Sequence, residues 1–291
     1  MQNTNKIKNN LYGTLYVVAT PIGNINDITF RAVDILSKVD IIATEDTRSS
    51  KKILNFYGIN TKQISYHKHN ELERTNYLID ILKNGKSVAL VSDAGTPGIS
   101  DPGDVIISSA YKENIKVSPI PGVSSVISAL SVSGKASNNF KFIGFLPKKI
   151  MQKIDILKKN SNSDFSLIFF ESPNRVLKTL DNLKIIYEGT KIIIIAREIT
   201  KMYEDININS IDNLITYYQE NNNEKLRGEF VFIIPKAEAV KNFTKDYEIK
   251  DFINMLLKNN ISYNVAIKIT CNHFELKKNQ IYDKYISLAK Y

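Results

Sequence analysis

Residues 88–103 read VALVSDAGTPGISDPG and carry the densest set of chemically useful groups in the chain. Four apolar residues make a buried strand. After Ser92, the eleven residues 93–103 hold three Gly, two Pro and two Asp. Gly lets backbone approach a ligand with no side chain in the way, and Pro lowers the entropy lost on ordering the loop. Three other polar clusters follow apolar runs: Thr20-Pro21-Ile22-Gly23-Asn24, Glu45-Asp46-Thr47-Arg48 and Pro121-Gly122-Val123-Ser124-Ser125. In an open α/β sheet such loops meet in one crevice at the carboxyl ends of the strands. Backbone N–H groups where a helix starts bind carboxylates and other anions. Phe145 and the pair Phe169-Phe170 are candidates to flank a flat ring.

Candidates for proton transfer are Glu45, Asp46, His67 and His69. Carboxylates and imidazoles are the usual general bases, and His titrates near neutrality. Each has a plainer alternative: the acidic pair as the N-cap of a following helix, the histidines as exposed polar residues. Arg48 is a candidate for phosphate contact, or for pairing with a carboxylate. Spacing alone selects no base.

The elements that must position these groups alternate strand and helix. Strands are predicted at 15–20, 40–44, 63–66, 87–92 and 115–119. Helices are predicted from an Asp27 cap to Lys38, at 47–57, 70–83 and 103–113, and from Ser124 to about 133. This βαβα rhythm implies a mostly parallel sheet covered on both faces. A boundary falls near Pro121. Beyond it, strands are predicted at 141–146, 165–171, 191–197 and 229–235, with helices near 149–159, 173–187 and 210–220. After Pro235 the strand signal stops, and 246–291 reads as two or three short helices. The expected division is 11–120, 121–237 and 238–291: two α/β domains with mostly parallel or mixed sheets and a small helical module.

The 291 residues carry 39 Lys plus Arg against 30 Asp plus Glu, a formal charge of +9. That excess suits a polyanionic partner, although a general Lys and Asn richness also explains it. Residues 148–159 hold five Lys against one Asp, and 236–291 hold ten Lys against six acids. Lys148, Lys149, Lys153, Lys277 and Lys278 are candidate phosphate contacts, or ordinary solvated lysines. For the tail as a whole, docking to RNA competes with stabilising a dimer. One Cys excludes a disulfide framework and a cysteine zinc site, and three His argue against a metal. No apolar run approaches the roughly 20 residues that span a bilayer. The polar start MQNTNKIKNN lacks a signal-peptide core, so a cytoplasmic protein is expected. Neither G-x-G-x-x-G nor G-x-x-x-x-G-K-[ST] occurs, and G-x-S-x-G is missing too.

The segments TLYVVATPIGNINDITFRAVDIL, IIATEDTR, SYHKHNE, VALVSDAGTPGISDPG and PIPGVSSVISAL occur in this order. FIGFLP, FFESPNRV, IIAREITKMYE, RGEFVFII and ISYNVAIKITCNHFELKKNQIY follow. Together they resemble the tetrapyrrole-methylase-like (class III) methyltransferases, and among these the branch that methylates a ribose 2′-hydroxyl in small-subunit ribosomal RNA. The resemblance runs from about residue 13 to 282. It implies S-adenosyl-L-methionine in a cleft between two α/β domains, a homodimer, and a cytidine of the decoding region as target, in free RNA or in the 30S subunit. Carried over by position, Pro21 and Gly23 shape the first loop, and Asp93, Ala94 and Gly95 line the cofactor. Gly122, Ser124 and Ser125 lie toward its polar end. Phe170, Ala196 and Glu229 match cofactor-contacting strand ends, with core packing the alternative for Phe170 and Ala196. A tetrapyrrole (precorrin-type) or diphthine-synthase-like methylase is the enzymatic alternative. Those relatives carry a Gly-rich first loop, where this chain has TPIGN, and lack the helical tail. A non-catalytic ribosome-assembly factor is a third reading, against which the intact cleft loops argue.

Overall fold

Alternating apolar strands and amphipathic helices wind residues 14–120 into a parallel sheet covered on both faces. The computed structural model describes residues 12–134, 138–236, 243–274, 276, 278–282 and 284–286. The elements of the first sheet are β1 (Thr14–Val18), α1 (Phe30–Lys38), β2 (Ile41–Thr44), α2 (Thr47–Phe56), β3 (Gln63–Ser65), α3 (Glu71–Lys83), β4 (Val88–Val91), α4 (Asp104–Lys112) and β5 (Lys116–Ile120). Strand order is β3-β2-β4-β1-β5, all parallel. Side chains alternate across each strand. Val88 and Leu90 meet α3 and α4, whereas Ala89 and Val91 meet α1 and α2. The neighbours β1 and β4 lead in opposite directions across the sheet, β1 to β2 and β4 to β5. Their carboxyl ends therefore form the switch point where a crevice opens.

The expected helix from an Asp27 cap begins later than the sequence suggests. Asp27 closes a short 3₁₀ turn, Ile25–Asp27, that Asn24 caps. The cap of α1 is Thr29, whose hydroxyl accepts from Ala32 N–H at 3.1 Å. Both residues are good cap types, and the turn uses the first.

The second sheet is mixed. Its elements are α5 (Ser125–Val132), β6 (Phe140–Phe145), α6 (Ile150–Lys159), β7 (Ser166–Glu171), α7 (Val176–Tyr187), β8 (Ile192–Arg197), β9 (Asp205–Ser210), α8 (Ile211–Glu220), α9 (Asn222–Lys225) and β10 (Phe230–Ile234). Their order is β6-β7-β10-β8-β9, with only β6 and β7 parallel. Antiparallel β10 sits centrally, so its first residues lie beside the last residues of β7 and β8. Strand β9 (DININS) goes beyond the sequence reading, because its Asn residues have low strand propensity. One face buries Phe169, Ile195 and Phe232 under α6, α7 and α8. On the other, α5 covers Ile168, Ile194, Ala196 and Val231.

The chain forms two compact units, Met1–Ala237 and Glu238–Tyr291. Both sheets belong to the first. The second has α10 (Phe243–Lys258), α11 (Tyr263–His273) and α12 (Lys278–Ile281) around a small core of Ile249, Ile253, Ile267, Ile281 and Tyr285. Among the described residues, no helix is long and apolar enough to cross a membrane.

Candidate functional site

The loops after β1 and β4 are tied at the switch point. Thr20 N–H donates to Gly95 O at 2.8 Å, and Gly95 N–H to Thr20 O at 3.0 Å. Gly95 adopts φ +75°, a conformation that suits glycine. Thr96 Oγ1 donates to Val123 O at 3.3 Å and links this loop to the start of α5. Beneath these ties lies a cavity of about 490 Å³, within the size range of small-molecule sites.

One wall is polar and comes from the first sheet: Glu45, Asp93, Ala94, Gly95, Ser100 and Asp101. The start of α5 adds Ser124 and Ser125. The opposite wall comes from the second sheet and is richer in apolar side chains, with Phe145, Phe170, Ile199, Phe230 and Val231 beside Glu171, Ser172 and Glu229, while Ile22 and Val126 complete it. Phe145 and Phe170 meet edge to face at 5.4 Å. A break in β6 register between Phe142 and Phe145, with Gly144 at φ +67°, turns Phe145 toward the cavity. Bulges re-aim side chains in this way.

The three carboxylates of the polar wall hold their protons more tightly than free ones. Burial raises Asp101 to about 6, with the Glu45 charge adding to it. Burial also raises Glu45, helped by Asp93. Asp93 is raised by burial as well, although it accepts the Asp46 N–H at 3.1 Å. Such a surface favours a ligand that brings positive charge.

Glu45, Asp93, Ala94, Gly95, Ser124, Ser125, Phe170 and Glu229 of the sequence-predicted set line this cavity. Glu229 also pairs with Lys201 at 3.1 Å. Pro21, Gly23, Gly122 and Ala196 do not line it. Pro21 is buried. At Gly23 a Cβ would fall 2.4 Å from Lys201 Cγ and 2.9 Å from Thr200 Oγ1, so this glycine permits the close approach of the β8–β9 loop. Gly122 packs on Ala19, where a Cβ would come within 2.9 Å. Ala196 is fully buried in the apolar layer under α5.

Asp46 and His69 also lie off the lining. Asp46 caps α2 through Arg48 N–H at 2.8 Å and pairs with the Arg48 guanidinium at 2.8 Å. Those hydrogen bonds hold its carboxyl down at about 2, the plainer role foreseen for it. His69 is exposed, 5.9 Å ring to ring from His67.

Two expectations need correction. Phe169 flanks no ligand: it is fully buried and stacks on Phe232 at 5.1 Å on the far face of the sheet. Lys153 is no surface phosphate contact. It is buried and donates to Glu171 Oε2 at 3.2 Å and Thr179 Oγ1 at 2.7 Å. Glu171, itself buried, also accepts from Arg175 at 2.5 Å and from Ser172 N–H at 2.9 Å. Lys148, Lys149 and Lys278 are exposed, while Lys277 lies outside the described residues.

Sequence reasoning missed Asp101, Ile199, Gly228, Phe230 and Val231 as lining. Asp101 shares its loop with Asp93, and that shared loop was the available signal. Residues 228–231 reach the cavity through antiparallel pairing, Phe230 lying opposite Glu171 and Arg197.

Residues 14–215 match the family Tetrapyrrole (Corrin/Porphyrin) Methylases. The chain belongs to this family. It is 38% identical to the Ribosomal RNA small subunit methyltransferase I of Synechocystis sp. over 95% of this chain and 98% of that one. The protein of that name from Vibrio cholerae is 39% identical, covering 92% of both chains. The one from Halalkalibacterium halodurans is 46% identical over 76% of this chain and 75% of its own. Among solved structures, diphthine synthase superposes with TM-score 0.62 at 15% identity, over 77% of this chain and 90% of that one. A cobalt precorrin-4 methyltransferase gives 0.56 at 16% identity, over 76% and 94%. At such identity these two establish the shared fold. The chain is thus a methyltransferase by family, and the resemblance read from its motifs holds.

Proposed function

We propose that this protein transfers the methyl group of S-adenosyl-L-methionine to the ribose 2′-hydroxyl of a cytidine in the decoding region of small-subunit ribosomal RNA. The observation that carries the reading is the even match, at 38% identity over 95% of the chain, to a protein named for small-subunit ribosomal RNA methylation.

The cavity fits the donor. Its carboxylate wall suits a ligand with a sulfonium and an ammonium group, and Phe170, Ile199 and Val231 offer an apolar bed for a flat base. The start of α5, where Ser124 Oγ accepts from Ile127 N–H at 3.5 Å, suits a carboxylate. Bound there, S-adenosyl-L-methionine supplies an already activated methyl group. The protein's work is then to align the acceptor oxygen and remove its proton. Of the expected catalytic set, Glu45 stands on the cavity wall. The net charge of +9 favours a polyanionic substrate. Arg48, Lys148, Lys149 and Lys278 are the phosphate contacts of this reading, with Lys277 beside them in sequence. A homodimer acting in the cytoplasm on RNA or the 30S subunit completes it.

The test is tritium transfer from labelled S-adenosyl-L-methionine to 30S subunits lacking ribose methylation, beside free RNA and a precorrin. Label in RNA supports the reading. Label in the precorrin with RNA inert overturns it in favour of a small-molecule methylase.

A further inference from the structure

We propose that Asp101 is the catalytic base of this transfer, its carboxylate taking the proton of the acceptor hydroxyl as the oxygen attacks the sulfonium methyl. The proposal rests on the reading above that the acceptor is a hydroxyl. The O–CH₃ bond forms and the S–CH₃ bond breaks. The electron pair of that bond stays on sulfur, leaving a neutral thioether, and the hydroxyl proton passes to Asp101 and then to water.

Four observations single out Asp101 among the carboxylates of the wall. It lines the cavity and is half-buried. Glu45 and Asp93 each accept a backbone N–H, from Asp93 and Asp46 respectively, which ties them to holding the loops together. Asp101 instead meets the Ser92 side chain. Its position is also fixed from behind. Ser100 before it sits at φ +70°, a costly conformation for a residue with a side chain. Pro102 and Gly103 after it are buried. Finally, the second sheet presses on this point: a Cβ on Gly144 would lie 3.2 Å from Ser100 Oγ. Asp101 thus stands where the polar wall meets the β6 bulge that presents Phe145.

The charged groups facing Asp101 are Glu45 from the end of β2, Asp93 from its own loop and Lys68 from the β3–α3 connection. Glu229, paired with Lys201, faces the same cavity from the second sheet. Burial and the two acidic neighbours keep its proton affinity high, at about 6. A base of that strength is ionised at neutral pH yet still attracts a proton.

The experiment is the pH dependence of kcat/KM for methyl transfer to 30S subunits, in wild type and Asp101→Asn, with S-adenosyl-L-methionine affinity measured by calorimetry on the same samples. The wild-type rate should rise about tenfold per unit at low pH and level off above about 6. Asp101→Asn should lose that inflection and about 10²–10⁴-fold in rate, while donor affinity, still served by Glu45 and Asp93, falls far less than the rate. A variant that keeps its rate and inflection overturns the proposal, and so does a loss of rate matched by loss of donor binding. Should Asp101→Asn fail to fold, Glu45→Gln serves instead. Removing the like charge that raises Asp101 most must move the inflection to lower pH, and an unmoved inflection overturns the proposal. Wild type inactive on RNA overturns the assigned function itself, and this role with it.

Discussion

The two sheets share one cavity but divide its work. The first is wholly parallel, and all its strands point their carboxyl ends at the cleft, so loops carry its contribution. Those loops hold Glu45, Asp93 and Asp101, acids with no cation tightly paired to them among the described contacts. The second sheet is mixed and gives mostly apolar strand surface. The acids it brings to the cavity are paired: Glu171 at the end of β7 is neutralised by Lys153 and Arg175, and Glu229 ahead of β10 pairs with Lys201. Unpaired acids on one wall and a closed ion network behind the other indicate that the first wall is built to meet a cation and the second to stay rigid.

The largest effect that could break this comparison is on stability. Glu171→Ala strips the counter-charge from buried Lys153, and should cost about 3–5 kcal/mol in denaturant unfolding. Glu45→Gln on the opposite wall removes a repulsion, and should leave stability unchanged or slightly raised. Equal losses would erase the distinction between the walls.

A smaller effect is expected where the chain closes on itself at Gly228. This glycine sits at φ +88°, and a Cβ would fall 2.2 Å from the Glu198 carboxyl carbon. Gly228→Ala should cost about 1–3 kcal/mol and weaken donor binding, read by calorimetry. Gly58→Ala has φ +65° but open space around it. It should cost only the backbone term, about 1–2 kcal/mol, and leave donor binding alone.

The pH dependence of stability sharpens the contrast further. The folded value of Asp101, about 6, lies above its ordinary 3.8. Its contribution is therefore fully present below 3.8 and is lost as pH rises through about 6. Thermal melts should show wild type gaining on Asp101→Asn as pH falls from 7 to 5. Asp46, held at about 2, runs the other way: its contribution is present above 3.8 and is lost as pH falls through about 2. The smallest effect belongs to the rim. Lys148→Ala with Lys149→Ala should weaken RNA binding a fewfold and flatten its salt dependence, with donor affinity unchanged.

The same division explains what was legible in the sequence. Parallel strands with both faces covered read as plain apolar runs, such as VALV at 88–91, and the polar loop after each announces itself. The first wall was therefore visible residue by residue, apart from Ser100 and Asp101. The second wall was visible only at Phe145, Phe170 and Glu229. Nothing local tells that β10 runs antiparallel between β7 and β8, and that pairing alone carries Phe230 and Val231 to the cavity. Phe169 and Phe170 are neighbours in the chain and look interchangeable. The two-residue period of the strand sends one into the core and the other to the cleft. Lys153 reads as one more lysine in a basic stretch until Glu171 is found buried beside it.

The most direct test of the central claim is to incubate 30S subunits lacking ribose methylation with the protein and trideuteromethyl S-adenosyl-L-methionine, then digest the RNA to nucleosides for mass spectrometry. The account predicts one labelled cytidine with the mass increment on its sugar. Label on a base, or none in RNA although the donor binds, would contradict it.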